Sequence, residues 1–310
     1  NIPTGKDSLS MTQKYPDGKT VMSPGSVIIS TVGEVTDIRK VISPVLKESF
    51  TSSIIYIDFG NGAFNLGGSS FAQVMNKLGG DTAEVKDAAY FRSCFEAVQE
   101  LIQKEVVLAG HDISAGGFIT TLLEMTFSHN NLGMDIDVNA LGETDIIRLL
   151  FSEKPGVVIQ VNDLDFVSIY LHEKGINYHV IGKPAASKTL QIRHLQDNYQ
   201  FDIHALRDKW FRSSYLLDRK QSGETLAKER FENYAVQERK FVFPGSFSGK
   251  FSQFNIDPGR KTRSGIKAAI IREKGVNGDR EMAWSMHLAG LDVKDVHMTD
   301  LMSGRETLED

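Results

Sequence analysis

Apolar, β-branched runs of strand length alternate along the chain with stretches whose apolar residues recur at helical spacing. The runs at 26–32 and 53–59 are continuous, which predicts strands that are buried on both faces. Further strands are predicted at 106–111, 157–161, 176–181 and 189–194. Strands and helices that alternate in this way predict a layered protein of the α/β (α+β) class.

A strongly amphipathic pattern at 87–105 predicts a helix. Cys94, the single cysteine, lies beside the apolar stripe of this helix. We expect it to be a small core residue and not a nucleophile, because no glycine-rich elbow or neighbouring motif supports its activation. One cysteine also excludes an intrachain disulfide and is typical of a reducing compartment, which predicts a cytoplasmic protein. The predicted stripe consists of Phe91, Phe95, Val98 and Ile102.

A glycine-rich loop at 60–68 leads into a second helical pattern. Ser69 is its predicted N-cap, and Gly79 and Gly80 are its predicted end. The residues expected on its buried face are Phe71, Val74, Met75 and Leu78. Two more helices are predicted at 118–127 and, beginning at Asp163, at 163–174.

The composition of the chain changes after residue 194. Residues 195–262 are rich in helix formers and in charges of both signs, which predicts solvated, ion-paired helices. Residues 243–265 are rich in Gly, Ser and Pro and predict a linker. A basic trio in this linker could contact phosphate, but exposure to water is the better interpretation; it consists of Arg260, Lys261 and Arg263.

A new unit is predicted from residue 266. A strand at 266–273, a helix at 277–290 closed by Gly290, and a strand at 291–298 follow one another. This order predicts a βαβ unit, which requires a parallel sheet and begins a doubly wound domain.

Composition narrows the classes of partner. Of the 310 residues, 41% are hydrophobic and 24% charged, which is typical of a globular protein. The net charge of −5 gives no basic excess, so no nucleic-acid partner is predicted. The apolar runs are strand-sized, as at 156–161, so no membrane partner is predicted either. The first and last residues have the character of mid-chain sequence, from which we expect an excised fragment.

The segment AGHDISAGG at 109–117 places an acid and a hydroxyl where a predicted strand meets a predicted helix. The first turn of a helix exposes unpaired N–H groups and attracts anions. Gly116 and Gly117 would let a phosphate approach the backbone. Ser114 could cap the helix and bond a phosphate oxygen, and Asp112 fits if Mg²⁺ lies between its carboxylate and the phosphate.

A purely structural interpretation of the same turn remains open, and spacing alone favours it. Ser114 would be a cap, Asp112 a turn acid, and the two glycines a means of tight packing. His111 is expected to be a hydrogen-bonded turn residue and not a base.

Two other segments are candidate anion sites. Gly67, Gly68 and Ser69 lie at a predicted helix start and form a possible second cradle. Lys6 could neutralise phosphate while Asp7 holds a cation, although a local salt bridge explains the pair equally well. The eight histidines are scattered, and no HExxH, GxxxxGK[ST] or GxGxxG motif occurs, so neither a zinc site nor a P-loop is predicted.

Several segments, in this order, resemble the family of phosphoribosylformylglycinamidine synthase, the large glutamine-dependent enzyme of purine synthesis. The likeness covers nearly the whole chain. The resembling segments are GKDSLSM, LGGSS with FAQ, AGHDISAGG with LLEM, LFSEKPGVVIQV, LRDKWFRSSYLLDR and REKGVNGDREMAWSMHLAGLDVKDVHMTDL.

The resemblance implies four regions. Residues 1–40 would be the tail of a synthetase-type N-terminal domain. Residues 41–194 would be a C-terminal domain of the aminoimidazole ribonucleotide synthetase type, a three-layer α/β/α sandwich with partial ferredoxin-like topology. Residues 195–265 would be a helical segment and linker, and residues 266–310 the truncated start of a class I glutamine amidotransferase domain.

The resemblance also implies a chemistry. The family converts formylglycinamide ribonucleotide, glutamine and ATP into formylglycinamidine ribonucleotide, glutamate, ADP and phosphate, with Mg²⁺ neutralising phosphate charge. Asp112 matches a magnesium ligand and Ser114 a nucleotide contact of an auxiliary nucleotide site. The remaining magnesium ligands and the amidotransferase nucleophile would lie elsewhere in the polypeptide, so the fragment would hold no complete active site.

Two positions depart from the family pattern. Ala115 stands where DISDGG has an aspartate, which weakens any role that needs a second carboxylate at the turn. Lys154 stands where SEEPG has a glutamate. For the neighbouring Glu153 we expect a solvated acid with no catalytic role.

Overall fold

The computed structural model describes residues 4–7, 12–22, 27–30, 33, 35, 37, 40–236 and 242–308. The chain divides into two compact units, Asn1–Val236 and Gln237–Asp310. In the first unit the strands are β1 Thr4–Asp7, β2 Thr12–Lys14, β3 Thr20–Met22, β4 Val27–Ser30, β5 Ser53–Asp58, β6 Val107–Asp112, β7 Gly133–Asp137, β8 Gly156–Val161, β9 Tyr178–Ala185, β10 Thr189–His194 and β11 Asp197–Asp202. Its helices are α1 Ser70–Val74, α2 Ala88–Gln103, α3 Gly117–Thr126, α4 Ile146–Phe151, α5 Leu164–Glu173, α6 Ile203–Ser222 and α7 Glu224–Asn233.

A seven-stranded mixed sheet forms the centre of the first unit, in the order β11-β10-β7-β9-β5-β8-β6. Its neighbouring strands run antiparallel except β7 and β10, which are parallel. Among the described residues, β1 pairs with β4 and β2 with β3 as separate antiparallel ribbons.

Helices cover both faces of this sheet. Along β5, Ile54 and Tyr56 enter a core that includes residues of α3 and α4, whereas Ile55 and Ile57 enter a core formed with α2 and α5. Because successive side chains of a strand point to opposite faces, the continuous apolar run of β5 fills both cores. The α/β/α layering expected from the sequence is therefore confirmed.

The helix predicted after the glycine-rich loop is much shorter than expected. α1 ends at Val74, and Asn76 adopts a φ of 55° that breaks the helix. The chain then turns back, so that the N–H of Gly68 donates to Leu78 O. The predicted apolar stripe is wrong from the last residue of α1 onward, because Val74, Met75 and Leu78 are exposed.

The helix predicted at 87–105 is confirmed as α2, and its predicted apolar stripe is correct except at one position: Val98 is buried, and Phe91 and Ile102 pack against the core. Phe95, placed on the predicted buried stripe, is 52% exposed. Cys94 is fully buried, which confirms its place in the core, and burial raises the pKa of its thiol. The described part of the chain buries on this helix Cys94, Ala97, Val98 and Leu101.

Helices α6 and α7 occupy much of the charge-rich region, as predicted. Most of their residues are exposed, but Arg207 is buried and donates to Phe127 O and His129 O at 2.8 and 3.2 Å. Several described elements of this unit were not predicted, namely β1, β2, β3, β7, β11 and α4. None of the described helices is long and apolar enough to cross a membrane.

The second unit contains the predicted βαβ arrangement. Its elements are β12 Lys267–Arg272, α8 Asp279–Leu288, β13 Asp292–His297 and α9 Met298–Met302, and β12 runs parallel to β13. The sequence analysis expected Arg260 to be exposed to water in a linker, and this expectation is wrong. Its guanidinium donates to Asp292 Oδ1 at 2.9 Å and to Leu291 O at 2.7 Å, which anchors the linker to β13. Arg260, followed by two backbone N–H donors, holds the pKa of Asp292 well below its usual range.

Candidate functional site

The turn between β6 and α3 is built on two glycines with positive φ. Gly116, the N-cap of α3, has a φ of 90°, and Gly117 a φ of 74°. A Cβ on Gly117 would lie 2.7 Å from the carbonyl carbon of Phe151, so only glycine lets α3 pack this closely. Ser114 is not the cap that the sequence suggested, since α3 has no side-chain cap and Ser114 is exposed.

Asp112 is the last residue of β6, the edge strand of the sheet, and its side chain is 77% exposed. One carboxylate oxygen lies 3.3 Å from His111 Nδ1. No cluster of three or more His, Cys, Asp or Glu side chains suited to a metal occurs in the described part of the chain. A lone exposed carboxylate still fits Mg²⁺, which is held in proteins by one or two carboxylates together with water and phosphate oxygens.

His111 is held between two acids, which confirms the expectation of a hydrogen-bonded residue. Its Nε2 lies 3.0 Å from Glu124 Oε2, and its Nδ1 lies 2.9 Å from the backbone oxygen of Asp112. The hydroxyl of Thr121 in α3 donates to that same backbone oxygen at 3.0 Å. The end of β6 is thus attached to the body of α3, while the Asp112 carboxylate itself stays in solvent.

Glu153 is not a solvated acid, and that expectation is wrong. Its Oε1 accepts the backbone N–H of Ser70 at 2.8 Å and the backbone N–H of Gly116 at 2.9 Å. The carboxylate is placed there because Glu153 lies between α4 and β8, in a segment that passes both turns. The motif SEKPG marked this residue, but no local pattern indicated which partners it would reach.

The loop around Gly67 and Gly68 uses its own backbone donors. The N–H groups of Gly67, Gly68 and Ser69 donate to Asp81 O, Leu78 O and Leu66 O. Ser69 is the N-cap of α1, as predicted: its hydroxyl accepts from the N–H of Ala72 and donates to Leu66 O, and it is 2% exposed.

A cavity of about 310 Å³ borders this loop. Gly67 is part of its wall, together with the apolar side chains of Phe71 and Met75 and the cationic side chains of Lys77 and Arg148. An anion in this cavity would meet two cationic side chains, although the N–H groups of the loop are engaged.

Lys154 forms a buried ion pair that the sequence analysis missed. Its Nζ lies 2.6 Å from Asp58 Oδ2 and 4.4 Å from the centre of the Phe64 ring, and the residue is 5% exposed. Burial, and then the charge of Lys154, lowers the pKa of the nearby His179. The lysine in place of the family's glutamate therefore has its own counter-ion at the end of β5.

The structure brings together some of the predicted site residues. Ser114, Gly116 and Gly117 follow Asp112 directly, and Glu153 joins their turn to that of Gly67, Gly68 and Ser69. Lys6 and Asp7 lie in β1, opposite Ile28 and Val27 of β4, and their side chains are outside the described part of the structure.

Comparison with known proteins places two domains in the chain. Residues 59–194 match the family described as AIR synthase related protein, C-terminal domain, and residues 265–310 match the CobB/CobQ-like glutamine amidotransferase domain. The fold and these matches define a synthetase-type domain followed by amidotransferase sequence.

One relative at sequence level is the protein described as probable phosphoribosylformylglycinamidine synthase, chloroplastic/mitochondrial, of Arabidopsis thaliana. It is 34% identical to this chain over 99% of the chain. The chain belongs to the family of phosphoribosylformylglycinamidine synthase. It spans 22% of the length of that relative.

Three solved structures are similar to part of this chain. Thermotoga maritima PurL complexed with ATP is 13% identical, with a TM-score of 0.44 over 59% of this chain and 28% of that one. T. maritima PurL complexed with FGAR is 15% identical, with a TM-score of 0.45 over 59% of this chain and 31% of that one. The PurLQS structure from the same organism is 12% identical, with a TM-score of 0.41 over 72% of this chain and 31% of that one.

Proposed function

We propose that this chain is one part of an ATP- and glutamine-dependent C–N ligase of purine biosynthesis. The complete polypeptide would convert formylglycinamide ribonucleotide into formylglycinamidine ribonucleotide. Membership of the synthase family supports this proposal, as does the succession of a synthetase-type domain and amidotransferase sequence. The partners of this part would be a nucleotide, ATP or ADP, and the other domains of the same polypeptide, in a cytoplasmic enzyme.

The single observation that carries the site is the position of Asp112. Its exposed carboxylate stands at the end of an edge strand, immediately before the first turn of α3. That place suits a ligand of Mg²⁺ with phosphate oxygens completing the coordination. Bound there, the ion would neutralise phosphate charge, while the exposed Ser114 hydroxyl would donate to a phosphate oxygen.

The other predicted contacts take supporting places in the proposal. Gly116 and Gly117 give the turn its shape. Gly67 lines the cavity beside Lys77 and Arg148, and Gly68 and Ser69 follow it in the same loop. Lys6 and Asp7, on β1, would supply a cation and an acid from the preceding region. The domain boundaries at 40, 194 and 265 belong to this proposal as well.

Calorimetry with Mg²⁺ and ADP tests the site. We expect the chain to bind, and Asp112→Asn to weaken binding at least about tenfold, because the amide carries no charge for the ion. Asp165→Asn is the matched control, since Asp165 is an exposed aspartate on α5, a helix that packs on the other face of the sheet. Equal affinity in all three proteins would contradict the assignment.

One alternative is a structural or partner-docking domain without nucleotide. The engaged N–H groups of Gly116 and Gly117 favour it. The same calorimetry separates the two functions, because this alternative predicts no heat of binding in any of the proteins. A stand-alone synthetase-type enzyme is a weaker alternative, because it does not account for the parallel βαβ unit and the amidotransferase match.

An assay of glutamine hydrolysis tests whether this chain lacks the amidotransferase nucleophile. The proposal leaves the nucleophile of the amidotransferase outside this chain, because the single cysteine, Cys94, is buried in the synthetase-type domain. We therefore expect no release of glutamate from glutamine. Turnover above that of a heat-denatured sample would contradict this assignment.

A further inference from the structure

One carboxylate oxygen connects the two glycine-rich turns of the first unit. Oε1 of Glu153 accepts from Ser70, the first residue of α1, and from Gly116, the N-cap of α3. These are N–H groups that a helix leaves unpaired at its start, and they are the donors that would otherwise meet an anion. The group that accepts from both N–H donors is therefore a carboxylate of the protein itself, that of Glu153.

The chain on both sides of Glu153 is held to the first turn. The Ser152 hydroxyl donates to Asn65 O at 2.9 Å, and Lys154 pairs with Asp58. The backbone oxygen of Pro155 accepts the N–H groups of Phe59 and Gly60, each at 3.0 Å. Movement of Glu153 away from the two turns would therefore break several neighbouring contacts at once.

The same segment also holds the second turn. The N–H of Ile113 donates to Gly156 O at 2.9 Å, and Gly117 packs directly on the backbone of Phe151 and Ser152. The N–H of Gly117 itself donates to Ser114 O. The exposed residues of this turn are Asp112, Ser114 and Ala115, and of these Asp112 and Ser114 carry polar side chains.

We propose that Glu153 is a positioning residue that closes the N–H groups of Ser70 and Gly116 to phosphate and holds the turn that presents Asp112 and Ser114. This inference rests on the proposed function for its nucleotide part. A bound nucleotide then meets this turn through the Asp112-bound cation and the Ser114 hydroxyl, and not through the N–H groups of Gly116 and Gly117.

Two conservative variants separate geometry from charge. Glu153→Gln keeps an oxygen at the same reach and removes the charge. Glu153→Asp keeps the charge and withdraws the oxygen by one methylene. If Glu153 acts by accepting hydrogen bonds from the two N–H groups, Glu153→Gln keeps these hydrogen bonds and Glu153→Asp loses them. Glu173→Ala, an exposed glutamate at the end of α5, is the matched control.

Amide hydrogen exchange tests the positioning role without any nucleotide. In Glu153→Asp we expect the N–H groups of Ser70 and Gly116 to exchange at least about tenfold faster, as the loss of hydrogen bonds to a charged acceptor implies. In Glu153→Gln and in the control we expect protection within about threefold of the parent protein. Unchanged exchange in Glu153→Asp, or equal loss in Glu153→Gln, would overturn the inference.

Calorimetry with Mg²⁺ and ADP tests the second part. We expect Glu153→Gln to bind within about threefold of the parent and Glu153→Asp to bind about tenfold more weakly. Tighter binding by Glu153→Gln would show that the carboxylate competes with phosphate for the N–H groups, which refutes the inference. If Asp112→Asn leaves binding unchanged, the proposed function fails, whereas the exchange experiment still decides the positioning role.

Discussion

The two glycine-rich turns of the first unit look alike in sequence and differ in structure. Each follows a strand and precedes a helix, and each places serine and glycine where an anion would bind. In the turn at Gly67–Ser69 the N–H groups donate to the protein and Ser69 is 2% exposed. The turn at Asp112–Gly117 shares its backbone donors with the protein too, but Asp112 is 77% exposed.

Glycine content in a turn therefore does not by itself identify a phosphate site. In both turns a glycine allows two backbones to approach each other: a Cβ on Gly67 would lie 2.4 Å from Asp81 O, and one on Gly117 2.7 Å from the Phe151 carbonyl carbon. What distinguishes the second turn is an acid left in solvent, beside glycines whose N–H groups donate to the protein. The distinguishing feature is a side chain and not a loop shape.

The largest expected effect comes from the packing of the second turn. Gly117→Ala should lower the free energy of unfolding by about 3–4 kcal/mol, because the new Cβ meets backbone and the residue keeps a positive φ. Gly142→Ala is the control, since Gly142 has a φ of 73° with nothing within 4 Å of a Cβ. Its loss should be about 1 kcal/mol. Urea unfolding measures both, and equal losses would show that the close approach at Gly117 is unimportant.

The next effect concerns the ion pair of Lys154 and Asp58, which lies at the end of β5, before the loop that leads to the first turn. Lys154→Met should cost about 3 kcal/mol of unfolding free energy, because it leaves the Asp58 carboxylate largely buried without its counter-ion. Lys174→Met removes an exposed pair, whose Nζ lies 3.3 Å from Glu100 Oε1, and should cost less than about 1 kcal/mol. The same urea titration applies. A loss in Lys154→Met no larger than in the control would contradict the buried pair.

A smaller effect compares the two serines directly. Ser69→Ala should cost about 1 kcal/mol, because it removes the cap of α1 and a donor to Leu66 O. Ser114→Ala should change the unfolding free energy by less than about 0.5 kcal/mol, since this side chain is exposed and caps nothing. If Ser114→Ala is the more costly change, the second turn depends on a contact of Ser114 that the structure does not show.

The smallest effect is the pH dependence of His179, which lies opposite Tyr56 in the sheet, near the Asp58–Lys154 pair. Burial lowers its pKa, so the folded protein binds a proton less readily than the unfolded chain. The stability it contributes is present above the ordinary histidine pKa of about 6.5 and declines as pH falls below it. The urea midpoint of the parent should fall more between about pH 7.5 and 5.5 than that of His179→Gln, which cannot titrate. An equal fall in both would contradict this origin.

Much of the fold could be predicted because its signals are local. The continuous apolar runs of β5 and β8, the Asp163 cap of α5 and the βαβ order of the second unit all occur where the patterns placed them. β7 was missed although Met134 and Ile136 alternate with aspartates, a pattern of period 2 that a short strand shows only weakly.

The candidate site could be predicted only in part. Asp112 stands out in the sequence because it precedes a serine and two glycines where a strand meets a helix, and the structure leaves its side chain exposed. Glu153 was misjudged and the ion pair of Lys154 was not predicted, because their partners Ser70, Gly116 and Asp58 are distant in the chain. No spacing rule connects residues whose contact arises from the packing of separate elements.

The amino-acid sequence by itself determined the layered class, most strands, the caps at Ser69 and Asp163 and the family, since each depends on neighbouring residues or on a linear motif. The tertiary structure alone decided that Phe95 of α2 is exposed, where α1 ends and which turn keeps an exposed acid. The physical reason is that the desolvation of an acid or a backbone N–H depends on what packs against it, and here the segment around Glu153 supplies that packing to both turns.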